Sequence, residues 1–200
     1  MKKLMASLLL MTTICSTSNA QDVETVQSTD NIRPTSLAVS FVLYDYKTAQ
    51  SIRNKSLSAV LRDKEFGKPK EMSPGLAVSY IKGLRKNIDF VATASGAFVD
   101  VELEDRRRGN EDFILEADAS VNLKMLPENF VFTPYINLGV GASIYDSKFG
   151  AFLPLGVGLK FNLFNEAAIF INSQYRVPVT TSTSGYHFYH GIGIAGVIGK

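Results

Sequence analysis

Between Leu115 and Lys124 the sequence alternates without a break. Phe113, Leu115, Ala117, Ala119, Val121 and Leu123 fall on one parity; Glu116, Asp118, Ser120, Asn122 and Lys124 fall on the other. A helix would scatter those charges around its circumference, whereas an extended strand sends successive side chains to opposite faces. The segment predicts a strand with one apolar and one polar face. Any fold of this chain must offer each face a different environment.

The same period of two recurs along the chain. Leu37, Val39, Phe41 and Leu43 oppose Ala38, Ser40, Val42 and Tyr44 in a first strand, and a second spans about Gly75 to Leu84. Ile88, Phe90, Ala92, Ala94 and Phe98 then oppose Asp89, Thr93 and Ser95, joined to the second strand by a tight turn at Arg85 to Asn87. After the fourth strand, Phe132, Ile136, Leu138, Val140 and Ile144 oppose Thr133, Asn137, Gly139, Gly141 and Ser143. Leu153, Leu155, Val157, Leu159 and Phe161 oppose Pro154, Gly156, Gly158, Lys160 and Asn162. The last two strands set Ile169, Ile171, Tyr175 and Val177 against Asn172, Gln174 and Arg176, and Phe188, Ile192 and Ile194 against His187, Tyr189, Gly191 and Gly193. That makes eight strands of about 9 to 13 residues, and a strand crossing a bilayer needs about 9 to 11. The pattern breaks at Lys47 to Glu65, where Ile52, Ala59, Val60 and Leu61 sit at helical spacing among basic residues, so a short helix is expected inside a long first loop.

The chain opens with Lys2 and Lys3, an apolar run from Leu4 to Ile14, and small residues from Ser16 to Ala20, the three parts of a secretory signal. The run is shorter than the roughly 20 residues of a membrane-spanning helix. Residues 1–20 are therefore expected to be a cleaved signal peptide, residues 21–34 a flexible lead-in, and residues 35–200 one barrel domain. The only cysteine, Cys15, lies in the signal. The remainder offers no thiol for disulfides, thiolate metal sites or a cysteine nucleophile. A net charge of +2 gives no footing for nucleic-acid binding.

Alternation alone suits either a soluble barrel with an apolar interior or a membrane barrel with an apolar exterior. The polar parity decides. It mixes charges and amides with closely spaced glycines, which weaken a solvent-facing strand but let a narrow lumen fit large residues beside small ones. With 8 Tyr, 13 Phe and no Trp, the aromatics gather toward strand ends, as interfacial girdles do. The fold class read from these patterns is all-β: an eight-stranded antiparallel up-and-down transmembrane β-barrel with a short helix in the first long loop. Its turns at Arg85 to Asn87, Met125 to Phe130 and Phe164 to Ala167 are short and would face the periplasm; the long loops Asp45 to Ser73 and Asp100 to Asp112 would face outward.

Three stretches carry a family resemblance: Thr133-Pro-Tyr-Ile-Asn-Leu-Gly-Val-Gly-Ala142, Pro154-Leu-Gly-Val-Gly-Leu-Lys-Phe161, and Gln174-Tyr-Arg176 with the later Gly-Ile-Gly-Ile. They resemble the porin-like outer-membrane barrels of Bacteroidetes, related to the barrel half of OmpA-type proteins. The resemblance implies an outer-membrane location. It does not reach the peptidoglycan-binding domain that follows the barrel in OmpA-type proteins, so it implies no cell-wall anchoring.

On this reading the inward parity forms a polar lumen network of Asp89, Glu116, Asp118, Lys160, Gln174 and Arg176. Glu116 and Arg176 are expected in the outer half, and Asp89 and Lys160 near the periplasmic end, with Tyr135, Phe170 and Tyr189 filling the space between. Arg106, Arg107 and Arg108 form a candidate contact for lipopolysaccharide phosphates, weighed against a solvated loop balanced by acidic neighbours. Ser184 with His187 is the one candidate nucleophile and base, in a stretch that reads more simply as a polar loop. His187 and His190, three apart on a strand, point to opposite faces and cannot share a metal. No cofactor, no metal and no enzyme activity are expected. The leading function is a structural or narrow, plugged porin-like barrel in contact with outer-membrane lipid. Two alternatives remain: a barrel whose outer loops bind a ligand or partner, and a soluble periplasmic barrel holding a small apolar ligand.

Overall fold

In the computed structural model, residues 32–99, 112–128, 130–145, 147–163, 166–180 and 185–198 are described. The signal segment with Cys15, most of the lead-in, the Arg106 to Arg108 loop and Ser184 lie outside them. Eight antiparallel strands close into one barrel in sequence order: β1 (Ser36–Asp45), β2 (Ser73–Arg85), β3 (Ile88–Val99), β4 (Asp112–Lys124), β5 (Phe132–Tyr145), β6 (Lys148–Leu163), β7 (Ala167–Pro178) and β8 (His187–Val197). Closure comes from β8 pairing back onto β1, for example Val39 with Ile194.

The strands run 10 to 16 residues, longer at several ends than the periodicity suggests. β6 begins at Lys148 rather than near Ala151, because Tyr145 pairs directly with Lys148 and leaves only a tight connection. Parity survives throughout. β4 alternates exposed and buried from Phe113 to Ser120, with the six apolar residues outward.

The first loop holds two α-helices, α1 (Tyr46–Lys55) and α2 (Leu57–Arg62), and a single 3-10 turn at Pro69–Glu71, where sequence spacing predicts one helix. Asp45 starts α1: its carboxylate accepts from the Thr48 N–H at 2.9 Å, satisfying a donor that the first turn leaves unpaired. Ser56 ends α1 with a φ of 120°, and its hydroxyl accepts from the Ala59 N–H to open α2. The helices sit at one mouth, here the helix end; the short β2–β3, β4–β5 and β6–β7 turns define the turn end. At the turn end, Arg33 lies against the backbone of Gly83, where a β-carbon would collide with it.

The inward glycines explain how so narrow a lumen holds large rings. Tyr135 pairs across the ladder with Gly158, Phe152 with Gly141, and Phe170 with Gly193. A β-carbon at each of these glycines would strike the facing ring. A large residue and an empty position alternate on neighbouring strands, as small barrels require.

Candidate functional site

The lumen is built by residues whose parity sends them inward, and it is filled in two charged layers. In the helix-end layer, β7 supplies Arg176 and Gln174, β4 supplies Glu116 and Asp118, and β8 supplies His187. Arg176 Nη1 pairs with Glu116 Oε2, and Nη2 donates to Asp118 Oδ2 at 3.1 Å. Gln174 Oε1 accepts from Nε and Nη2 of the same guanidinium at 3.4 and 3.3 Å. Both ion-pair partners are sealed from solvent, with Arg176 and Glu116 side chains 0% exposed. The guanidinium also lies 3.8 Å over the Tyr189 ring and 4.9 Å over that of Phe152, so its faces and its edges are both occupied. His187 Nε2 stands 3.4 Å from Glu116 Oε2, and its ring stacks on Tyr44 and Tyr46 under the start of α1.

The turn-end layer holds Lys124, Asp89, Glu128 and Lys160. Lys124 Nζ donates to Asp89 Oδ1 and to Glu128 Oε1, each at 2.7 Å, and Lys160 Nζ donates to the same Glu128 oxygen. Desolvation pushes the Glu128 carboxyl up, but Lys160 and Lys124 together overcome it and hold this turn residue below the usual carboxylate range. Between the layers, Asn137 Nδ2 donates to Ser120 Oγ and Asn122 Oδ1, and Ser79 pairs with Thr93. Among the described residues, the lumen cavity lined by Arg33, Asp89, Lys124, Tyr135 and Lys160 is about 40 Å³. At roughly 10–15 Å³ per water centre it has room for a few waters and no solute.

The structure thus brings Glu116, Asp118, Gln174 and Arg176 into one cluster and sets Asp89 and Lys160 in the other layer. Those last two are held by different direct partners, Lys124 for Asp89 and Glu128 for Lys160. The inward parity of Lys124 marks it as a lumen residue, whereas Glu128 lies in the β4–β5 connection, where no alternation gives its direction. His187, weighed in sequence as a base for Ser184 and as a metal ligand with His190, stands instead beside Glu116, where the inward parity it shares with Tyr189 places it. His190 faces outward, on the opposite side of the wall, and its Nδ1 lies 2.9 Å from Ser173 Oγ on β7. Among the described residues no group of three His, Cys, Asp or Glu side chains converges to hold a metal.

The exterior is almost wholly apolar, whereas the lumen sets its charged layers among apolar clusters around Val42 and Ile114 and around Ile81 and Phe170. Val140 and Ile194 are each 62% exposed in mid-strand, and Leu138, Ile136, Leu155 and Val157 continue the belt around the wall. A soluble barrel carrying a small apolar ligand would need the opposite arrangement, an apolar interior under a polar exterior. Apolar wall and filled polar lumen together define the class: a closed eight-stranded up-and-down barrel of the kind found in the bacterial outer membrane.

No family model matches the chain, and no curated protein matches it in sequence. In three dimensions it is similar to the outer-membrane protein OprG of Pseudomonas aeruginosa, with a TM-score of 0.58 and 11% identity over 82% of this chain and 96% of that one. It is similar too to Neisserial surface protein A, with a TM-score of 0.53 and 9% identity over 82% and 97%. A third similar structure is the N-terminal β-barrel domain of Pseudomonas aeruginosa OprF, with a TM-score of 0.52 and 9% identity over 80% and 96%. At these identities the likeness is one of fold.

Proposed function

We propose that this chain is exported to the bacterial outer membrane and spans it as a plugged barrel, a structural or narrow porin-like element without catalysis, its apolar wall in contact with lipid. The single observation that carries this reading is the fully buried Arg176–Glu116–Asp118 cluster, which fills the lumen at the helix end. Buried charges persist only when paired, and these are paired across the lumen instead of lining an open path. The helix end faces outward on this reading, since outer-membrane barrels keep short turns on the periplasmic side and long loops outside.

Planar-bilayer recording of the refolded full chain tests it. Little or no conductance is expected from the wild type, with discrete small steps appearing in Arg176→Ala. Large, stable steps from the wild type overturn the plug. Cysteine labelling checks the orientation: Ser58→Cys should react from outside intact cells, and Lys86→Cys only after the outer membrane is opened.

A further inference from the structure

The outward wall is apolar or aromatic nearly everywhere, and the exception is local. Away from the strand ends, the outward positions carry Leu, Ile, Val, Ala, Gly, Pro or aromatic residues, with Lys82 near the turn-end rim. In the helix-end half of β7 and β8, however, Ser173 and His190 face each other as cross-strand partners and hydrogen-bond at 2.9 Å. On a wall read as lipid-facing, two such residues need a reason, because polar groups in hydrocarbon are costly and mark functional sites.

The rungs above and below supply one. Immediately toward the helix end, Tyr175 pairs with Phe188; Tyr186 stacks on Tyr175, and the Arg53 guanidinium of α1 lies 3.8 Å over the Tyr186 ring. Toward the turn end the next rungs are Ile171 with Ile192 and Ile169 with Ile194. Down one face the wall therefore passes from a cation through aromatic rings to a hydroxyl–imidazole pair and then to aliphatic rungs. Successive outward rungs are about 7 Å apart along a strand. Phosphate, ester and acyl chain follow one another in this order in a diacyl lipid, and aromatic girdles lie at headgroup depth.

We propose that this face of β7 and β8 is a binding site for one anionic ester-linked lipid. Arg53 meets the phosphate, the Ser173 hydroxyl donates to an ester carbonyl, and the chains lie along the isoleucine rungs. His190 orients the serine: with its proton on Nδ1 it donates to Ser173 Oγ, which turns the serine O–H outward. Phe188, stacked parallel to the His190 ring at 5.8 Å, holds the imidazole in that plane.

The inference rests on the reading of the barrel as membrane-spanning, and its test keeps the two apart. The full chain is refolded in micelles holding equal amounts of phosphatidylglycerol and phosphatidylcholine, and heat-modifiable gel mobility establishes that each variant is a folded barrel. Retained lipids are then counted by native mass spectrometry. Several-fold more phosphatidylglycerol than phosphatidylcholine is expected on the wild type, with the preference lost in Arg53→Gln. Wild type should also hold ester-linked phosphatidylglycerol several-fold better than its diether analogue, and Ser173→Val should erase that difference while keeping the headgroup preference. Equal retention of the two headgroups, equal retention of ester and ether by the wild type, or ester discrimination that survives Ser173→Val overturns the site. A chain that fails to give a heat-modifiable barrel in any lipid overturns instead the membrane reading beneath it.

Discussion

Arg176 on β7 and Glu116 on β4 lie sixty residues apart in the chain, on strands that share no ladder, and they meet across the lumen with neither side chain reaching solvent. The pair ties opposite walls of the barrel together. Removing the cation leaves two carboxylates, Glu116 and Asp118, buried without it. Arg176→Met should therefore cost about 3–5 kcal/mol in urea-driven unfolding from vesicles. Adding Glu116→Gln and Asp118→Asn to that variant should recover a large part of the loss. A triple variant less stable than the single would show that the carboxylates have other cations to meet.

The wall makes a second, independent prediction. Leu138 sits in mid-strand on β5, 52% exposed, with Val121 and Leu155 as its neighbours across the two ladders. Leu138→Arg should destabilise the barrel in a bilayer by about 2–4 kcal/mol, as arginine does at midplane on lipid-facing walls. In a solvent-facing wall the same substitution would be close to neutral. Equilibrium folding into phosphatidylcholine vesicles reads the difference.

Overpacking tests the ring-and-glycine arrangement. At Gly158 a β-carbon would run into the Tyr135 ring, so Gly158→Ala should cost about 1–3 kcal/mol. Tyr135→Leu in the same chain should restore most of that stability, giving a favourable coupling in a double-mutant cycle. Additive losses would mean that the two side chains do not compete for the same space.

Acid should loosen the turn end. Glu128 has a folded-state pKa below its unfolded value of about 4.3. A depressed carboxyl contributes stability that is fully present above the unfolded pKa and is lost as pH falls through the folded one. Stability measured from about pH 6 down to pH 3 should therefore drop on the acid side, and Glu128→Gln should flatten part of that drop while lowering stability at neutral pH. An unchanged acid limb in the variant would remove Glu128 as its source.

The parity of seven of the eight strands was legible in the sequence because an apolar wall and a largely polar lumen impose it; β4 shows it from Leu115 onward. The depth of the charges was legible by counting from the turns, which put Glu116 near Arg176 and Asp89 near Lys160. Direct partners were harder to read. Asp89 is taken by Lys124 because the β3–β4 ladder places Asn122 opposite Asp89 and Lys124 one diagonal step away, a relation set by register. Glu128 reaches in from the β4–β5 connection, where no periodicity marks direction. The Ser173–His190 pair was illegible for the opposite reason: each residue looks like an ordinary irregularity in its own strand, and only the β7–β8 register sets them face to face.

Closure of the barrel through β1 and β8 also governs how the molecule can be made. Until His187 to Val197 has emerged, β1 has one row of backbone donors and acceptors with nothing to bond, and an open strand edge in hydrocarbon is not a viable state. The wall cannot be laid into a bilayer strand by strand as the chain is threaded out. Its N-terminal strand must wait for its C-terminal one, which makes insertion a late, concerted event of high contact order and leaves the unfinished chain dependent on whatever shields it from aggregation in transit.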